Sequence, residues 1–111
     1  MSWKGVILKE SLEDYSILEL IEIVETKEDR YNIEVEDNKK EEFVQKSIKI
    51  LKPKFYIHLV KDKVMYVMFR NHMFKFSRGY PELETAREFG KDLGIPKEQM
   101  YFEKLIENPY S

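Results

Sequence analysis

The stretch FYIHLVKDKVMYVMFRNHMFKFS, Phe55 to Ser77, restricts the fold of this chain more than any other. Apolar, aromatic and β-branched side chains fill it, and only Lys61 to Lys63 and Arg70-Asn71 break the run. Short apolar runs parted by polar breaks specify strands joined by hairpins. Asn71 tolerates the positive φ that a two-residue hairpin needs, so Phe69 is expected opposite His72. A three-residue turn over Lys61 to Lys63 would set Val60 opposite Val64. Alternation then sorts the side chains onto two faces. The inner one holds Phe55, Ile57, Leu59, Met65, Val67, Phe69, His72, Phe74 and Phe76. The outer one holds Tyr56, His58, Val60, Val64, Tyr66, Met68, Met73, Lys75 and Ser77.

The flanking sequence supplies the rest of the fold. Trp3 to Glu10 reads as a first strand, and Ser11 with Asp14 resembles a capping box opening a short helix from Leu12 to about Leu18. LIEIVETKE and YNIEVED form a strand, a polar turn at Thr26 to Arg30, and a half-buried strand exposing alternate residues to Tyr31, Ile33 and Val35. Asp37 is a natural N-cap for a helix whose apolar positions run from Phe43 to Leu51 and which Lys52-Pro53 must end. Pro81 opens a further helix with the stripe Leu83, Ala86, Phe89 and Leu93, Gly94 stops it, and Pro96 begins a last short helix through Met100, Phe102 and Leu105. NPYS is expected to fray. The order is β-α-β-β-α-β-β-β-α-α. It specifies an α+β fold: a mixed, mainly antiparallel sheet of about six strands with helices packed on one face, and a crossover from the third strand through the Asp37 helix to Phe55.

A chain of 111 residues, 42% hydrophobic, is the size of one core, and one domain over residues 1–111 is expected. The net charge of -2 argues against a dedicated nucleic-acid surface. No apolar run is long enough to span a bilayer, the start lacks a signal peptide's apolar segment, and a cytoplasmic location is expected. Without cysteine there is no disulfide, thiolate metal site or cysteine nucleophile. Glu and Lys dominate the charged residues, the bias associated with thermophilic proteins.

On the outer face, His58, Tyr66 and Lys75 fall side by side across three strands, and this row is the one constellation suited to acid–base chemistry. The plainer reading, in which Tyr66 shields His58 and Lys75 points to water, is preferred. His72 reads as a turn histidine. It and His58 are expected on opposite faces, and no HxH or HExxH spacing exists, so neither a metal nor a cofactor is expected. KVMYVMF lacks the glycines of an RNA-stacking strand, the glycines are too scattered for a phosphate loop, and there is no GxSxG elbow. Acidic clusters such as Glu34, Glu36 and Asp37 read as solvated turns.

WKGVILKESLED, the strand YIHLV, the hairpin FRNHMFKFS and the segment AREFGKDLGIPKEQMYF together resemble a family of small bacterial and archaeal proteins with no assigned activity, and the likeness spans nearly the whole chain. The resemblance implies one intact domain and brings no catalytic residue. The preferred function is a non-enzymatic binding or protein-interaction domain using Tyr56, His58, Tyr66, Met68, Met73 and Lys75. Its partner would be an unknown protein or a second copy, because Tyr56, Met68 and Met73 are side chains that favour interfaces. The alternative is a small enzyme or ligand-binding protein using His58, Tyr66 and Lys75.

Overall fold

A computed structural model describes residues 2–111. Six strands, β1 (Ser2–Leu8), β2 (Glu22–Thr26), β3 (Arg30–Glu36), β4 (Ile57–Lys61), β5 (Val64–Phe69) and β6 (His72–Ser77), form one sheet in the order β2-β3-β1-β4-β5-β6. Three helices, α1 (Lys40–Ile50), α2 (Pro81–Asp92) and α3 (Phe102–Glu107), complete an α+β fold. Every neighbouring pair of strands is antiparallel. The crossover through α1 does connect two strands of like direction, β3 and β4, but β1 lies between them and pairs with both. Gly5 makes that seam possible, since a Cβ there would run into the His58 carbonyl oxygen.

One face of the sheet carries the larger core. Trp3, Ile7, Ile33, Val35, Ile57, Leu59, Tyr66 and Met68 pack there against Phe43, Val44 and Ile50 of α1 and against Ile17. This is the expected helical layer. A second layer, which alternation did not reveal, covers the opposite face of β4 to β6, where Val60, Met65, Val67, Phe69 and Phe76 meet Leu83 and Ala86 of α2 and Phe102, Leu105 and Ile106 of α3. Each fully buried Ile, Leu or Phe in these layers contributes about 1.5–3 kcal/mol of apolar transfer energy.

The Arg70-Asn71 hairpin is as expected, with Phe69 opposite His72 and Asn71 at φ 65°. The preceding hairpin differs by one residue. Lys61, not Val60, lies opposite Val64, and Asp62 and Lys63 form a two-residue turn with φ of 52° and 66°. Left-handed values at both turn positions match the twist of the flanking strands. The slip reverses β4 against β5: Ile57 and Leu59 share a face with Met68 and Tyr66, while His58 and Val60 share the other with Val67 and Met65. With both faces covered, the slip exchanges one apolar set for another, so hydrophobicity alone does not select between the registers.

The helix expected from Leu12 to Leu18 is a 3-10 turn over Tyr15–Leu20, capped by the Asp14 carboxylate accepting from the Ser16 amide. Leu12 is instead bridged to Leu51. Its apolar spacing of three is the repeat of a 3-10 helix rather than of an α-helix. Asp37 does not cap α1. A 3-10 turn, Asp37–Lys39, precedes that helix, and the Asp37 carboxylate accepts from Trp3 Nε1 at 2.9 Å and Lys61 Nζ at 2.6 Å. Gly94, at φ +96°, ends α2 as expected, with the Ile95 amide donating to the Gly90 carbonyl at 3.0 Å. Pro96 leads into a separate 3-10 turn, Lys97–Gln99, before α3 begins. No helix among the described residues is long and apolar enough to cross a membrane.

Candidate functional site

The second layer does not close completely over the sheet. Where β4 meets β1, a cleft of about 310 Å³ remains, lined by Val6, Arg30, Tyr56, His58, Tyr101 and Leu105 among others. His58 reaches it from the second position of β4 and is 4% exposed. Its Nε2 lies 2.8 Å from the Pro109 carbonyl oxygen, which can only accept, so this nitrogen carries the proton. Burial pushes the imidazole from 6.5 down to about 4, against the hydrogen bond to Pro109, which favours the charged form. His58 is therefore neutral near pH 7. Tyr56, just before β4, donates its hydroxyl to the Gln99 carbonyl and stacks edge-on against Phe102, and burial raises its phenol well above the ordinary value.

Asp29 and Lys54 line the cleft as well, and so does Arg30. Asp29 holds it through Nε and Nη2, at 3.1 and 3.2 Å, leaving the Nη1 edge of the guanidinium out of that pair. This hydrogen-bonded carboxylate raises the arginine pKa, with Tyr101 adding in the same sense. The C-terminal residues form one wall rather than a frayed end. Pro109 is bound by His58, Tyr110 donates its hydroxyl to the Ile33 carbonyl at 3.0 Å, and Tyr101 donates to the Ser111 oxygen at 3.3 Å. The Tyr110 bond falls where the register of β2 on β3 shifts. Desolvation, then Glu34 and Glu22, push the Tyr110 phenol up to about 12.

The row His58, Tyr66 and Lys75 does not exist. Tyr66 and Lys75 are cross-strand partners, but the slipped register sends them to the α1 face while His58 points to the α2/α3 face. Of the six expected interface residues, Tyr56 and His58 line the cleft, and Tyr66, Met68, Met73 and Lys75 lie across the sheet from it. Met68 is fully buried, Met73 half-buried beside it, and neither forms an open sheet face. Tyr66 is 5% exposed, packs edge-to-face on Trp3 at 5.1 Å and accepts from Lys40 Nζ at 2.8 Å. Burial alone would lower the pKa of Lys40, but its hydrogen bonds to Glu41 and Tyr66 outweigh that and raise it. Lys75 sits over the Tyr66 ring, 5.6 Å from its centroid. Lys40 Nζ also lies 4.4 Å from the centroid of that ring, and this contact pins the start of α1 to the sheet by cation–π attraction.

His72 shares a face with His58 rather than opposing it, but stacks on Phe89 at 4.7 Å at the far end of β6. Among the described residues, no group of three or more His, Asp or Glu side chains is placed to hold a metal ion. Sequence reasoning missed Arg30, Tyr101, Pro109 and Tyr110. Only Arg30, a cation flanking a turn beside an aspartate, left a signal that could have been followed. No protein-family model matches the chain, and no curated protein or solved structure does either.

Proposed function

We propose that this protein is a non-enzymatic binding domain that takes a small molecule with a flat apolar body into the cleft beside His58. One observation carries the reading: a nearly buried, neutral histidine lines a cleft of about 310 Å³ together with two tyrosines, aliphatic side chains and two cations, Arg30 and Lys54. That size lies at the small end of the range for ligand pockets of about 300–1,000 Å³, and the lining is mixed, with Val6, Leu8, Phe55, Ile95 and Leu105 as its apolar part and Asp29, Arg30, Lys54 and Gln99 among its polar groups. The histidine's chemistry favours binding over catalysis. A base with a pKa of about 4 takes up a proton weakly at neutral pH, and its protonated nitrogen is already committed to Pro109.

The test is a titration with indole, benzoate and phenyl phosphate followed by NMR of the histidine and tyrosine rings. Saturable shifts of His58 and Tyr101 with at least one of these probes are expected, leaving Tyr66 unmoved. If none of the three moves His58 or Tyr101, the cleft is a packing defect and this reading is wrong.

A further inference from the structure

We propose that the outer edge of β2 docks an extended basic segment of another protein, added to the sheet as a further strand. The strand is terminal in the sheet, and all five of its residues are exposed. Its outer backbone groups are therefore available for a ladder, and Ile23 and Val24, 41% and 43% exposed, stand on it in solvent. The register shift between Ile23 and Glu25 has a further effect. It puts Glu22 opposite Glu34 and Glu25 opposite Asn32, so Glu22 and Glu25 share one face with Glu34 and Glu36 of β3. Like charges directly opposite across a ladder oppose folding.

Among the described residues no ion pair relieves these four glutamates. Asn32 and Ser2 each give one hydrogen bond, to Glu25 and Glu34, and the Asn32 Oδ1 is itself buried without a partner. Lys4 of β1 lies opposite Glu34 on the same face without pairing with it, so one cation stands against four carboxylates and the face stays acidic. Beside it lies a groove of about 510 Å³ with four carboxylates, Glu22, Glu34, Glu36 and Asp37, against one cation, Lys39, and with Leu20 and Ile21 as its apolar side.

Charge selects the occupant. A second copy pairing edge to edge would bring the Glu22 and Glu25 of both chains together, and the repulsion disfavours it. A strand alternating lysine or arginine with β-branched residues answers both sides at once, because period-two alternation sends every cation toward the glutamates and every apolar side chain to the side of Ile23.

Two capped heptapeptides, KVKVKVK and EVEVEVE, test this by calorimetry and by amide NMR. The lysine peptide is expected to bind, to shift the amides of residues 22–26, and to lose at least tenfold in affinity between 50 and about 500 mM salt as screening tightens. The exposed double variant Glu22→Lys/Glu25→Lys is expected to lose that binding and to take the glutamate peptide instead. The proposal is overturned if the lysine peptide does not bind, if both peptides bind the wild type equally, if the shifts lie away from β2, or if sedimentation shows the edge already closed in a dimer. Shifts at His58 and Tyr101 in the small-molecule titration test the cleft separately, so either assignment can fail alone.

Discussion

β4 and β2 are strands of the same sheet, yet β4 is buried on both faces along four of its five residues and β2 on neither. The difference explains which parts of the fold could be read in advance. A strand covered on both sides gains from apolar residues at every position, so IHLVK and VMYVMF announce strands but not which side chain faces which layer. A strand covered on one face only keeps its polar residues on the open side, and β3, next to the edge, does so at its end: Ile33 and Val35 are fully buried while Glu34 and Glu36 face the other way. Packing therefore dominates energetics at the centre, and charge has its say at the rim.

The sharpest break of this comparison is a pair of truncations. Phe69→Ala removes a fully buried ring that touches Tyr56, Phe74 and Phe89, and should cost about 3–5 kcal/mol in chemical denaturation. Ile23→Ala on β2 should stay within about 0.5 kcal/mol. Equal losses would mean that β2 is covered after all.

Next in size is the acid response of the central strand. Folded His58 titrates at about 4 and the unfolded residue near 6.5, so below pH 6.5 the unfolded chain binds a proton that the folded one does not. Stability should fall as pH drops from 6.5 to about 4, by about 3 kcal/mol, and this contribution levels off below that. His58→Gln, which keeps a donor for Pro109 but does not titrate, should flatten this part of the pH profile, and an unchanged slope would place the acid sensitivity elsewhere.

The smallest effect concerns the turn that sets the register. Lys63 holds a left-handed backbone, φ 66°, that glycine adopts without penalty, and its ion pair with Glu107 is exposed. Lys63→Gly should stabilise the fold by about 1 kcal/mol in the same denaturation assay. A destabilised variant would count against the two-residue turn.

The class of fold, the helix after Asp37, and the Pro81 to Gly94 helix with its stop were legible because each has a local cause: an apolar stripe, a proline at the first turn, a glycine at positive φ. The hairpin at Lys61 to Lys63 was not. Asp62 and Lys63 are not glycine or asparagine, so nothing local announces a tight turn, and the adjacent strands accept either register. That single residue decided the candidate site, because the proposed row required His58 and Tyr66 on one face. The cleft was hidden for another reason: residues distant in sequence, Arg30, His58, Tyr101 and Pro109, meet there only once the C-terminal segment folds across the sheet.

The decisive measurement is a NOESY spectrum resolved at the His58 ring. The fold described predicts cross-peaks from that ring to Pro109 and to Val67 on the same face, and none to the ring of Tyr66. Cross-peaks between the His58 and Tyr66 rings would restore the three-residue turn and remove the cleft assignment with it.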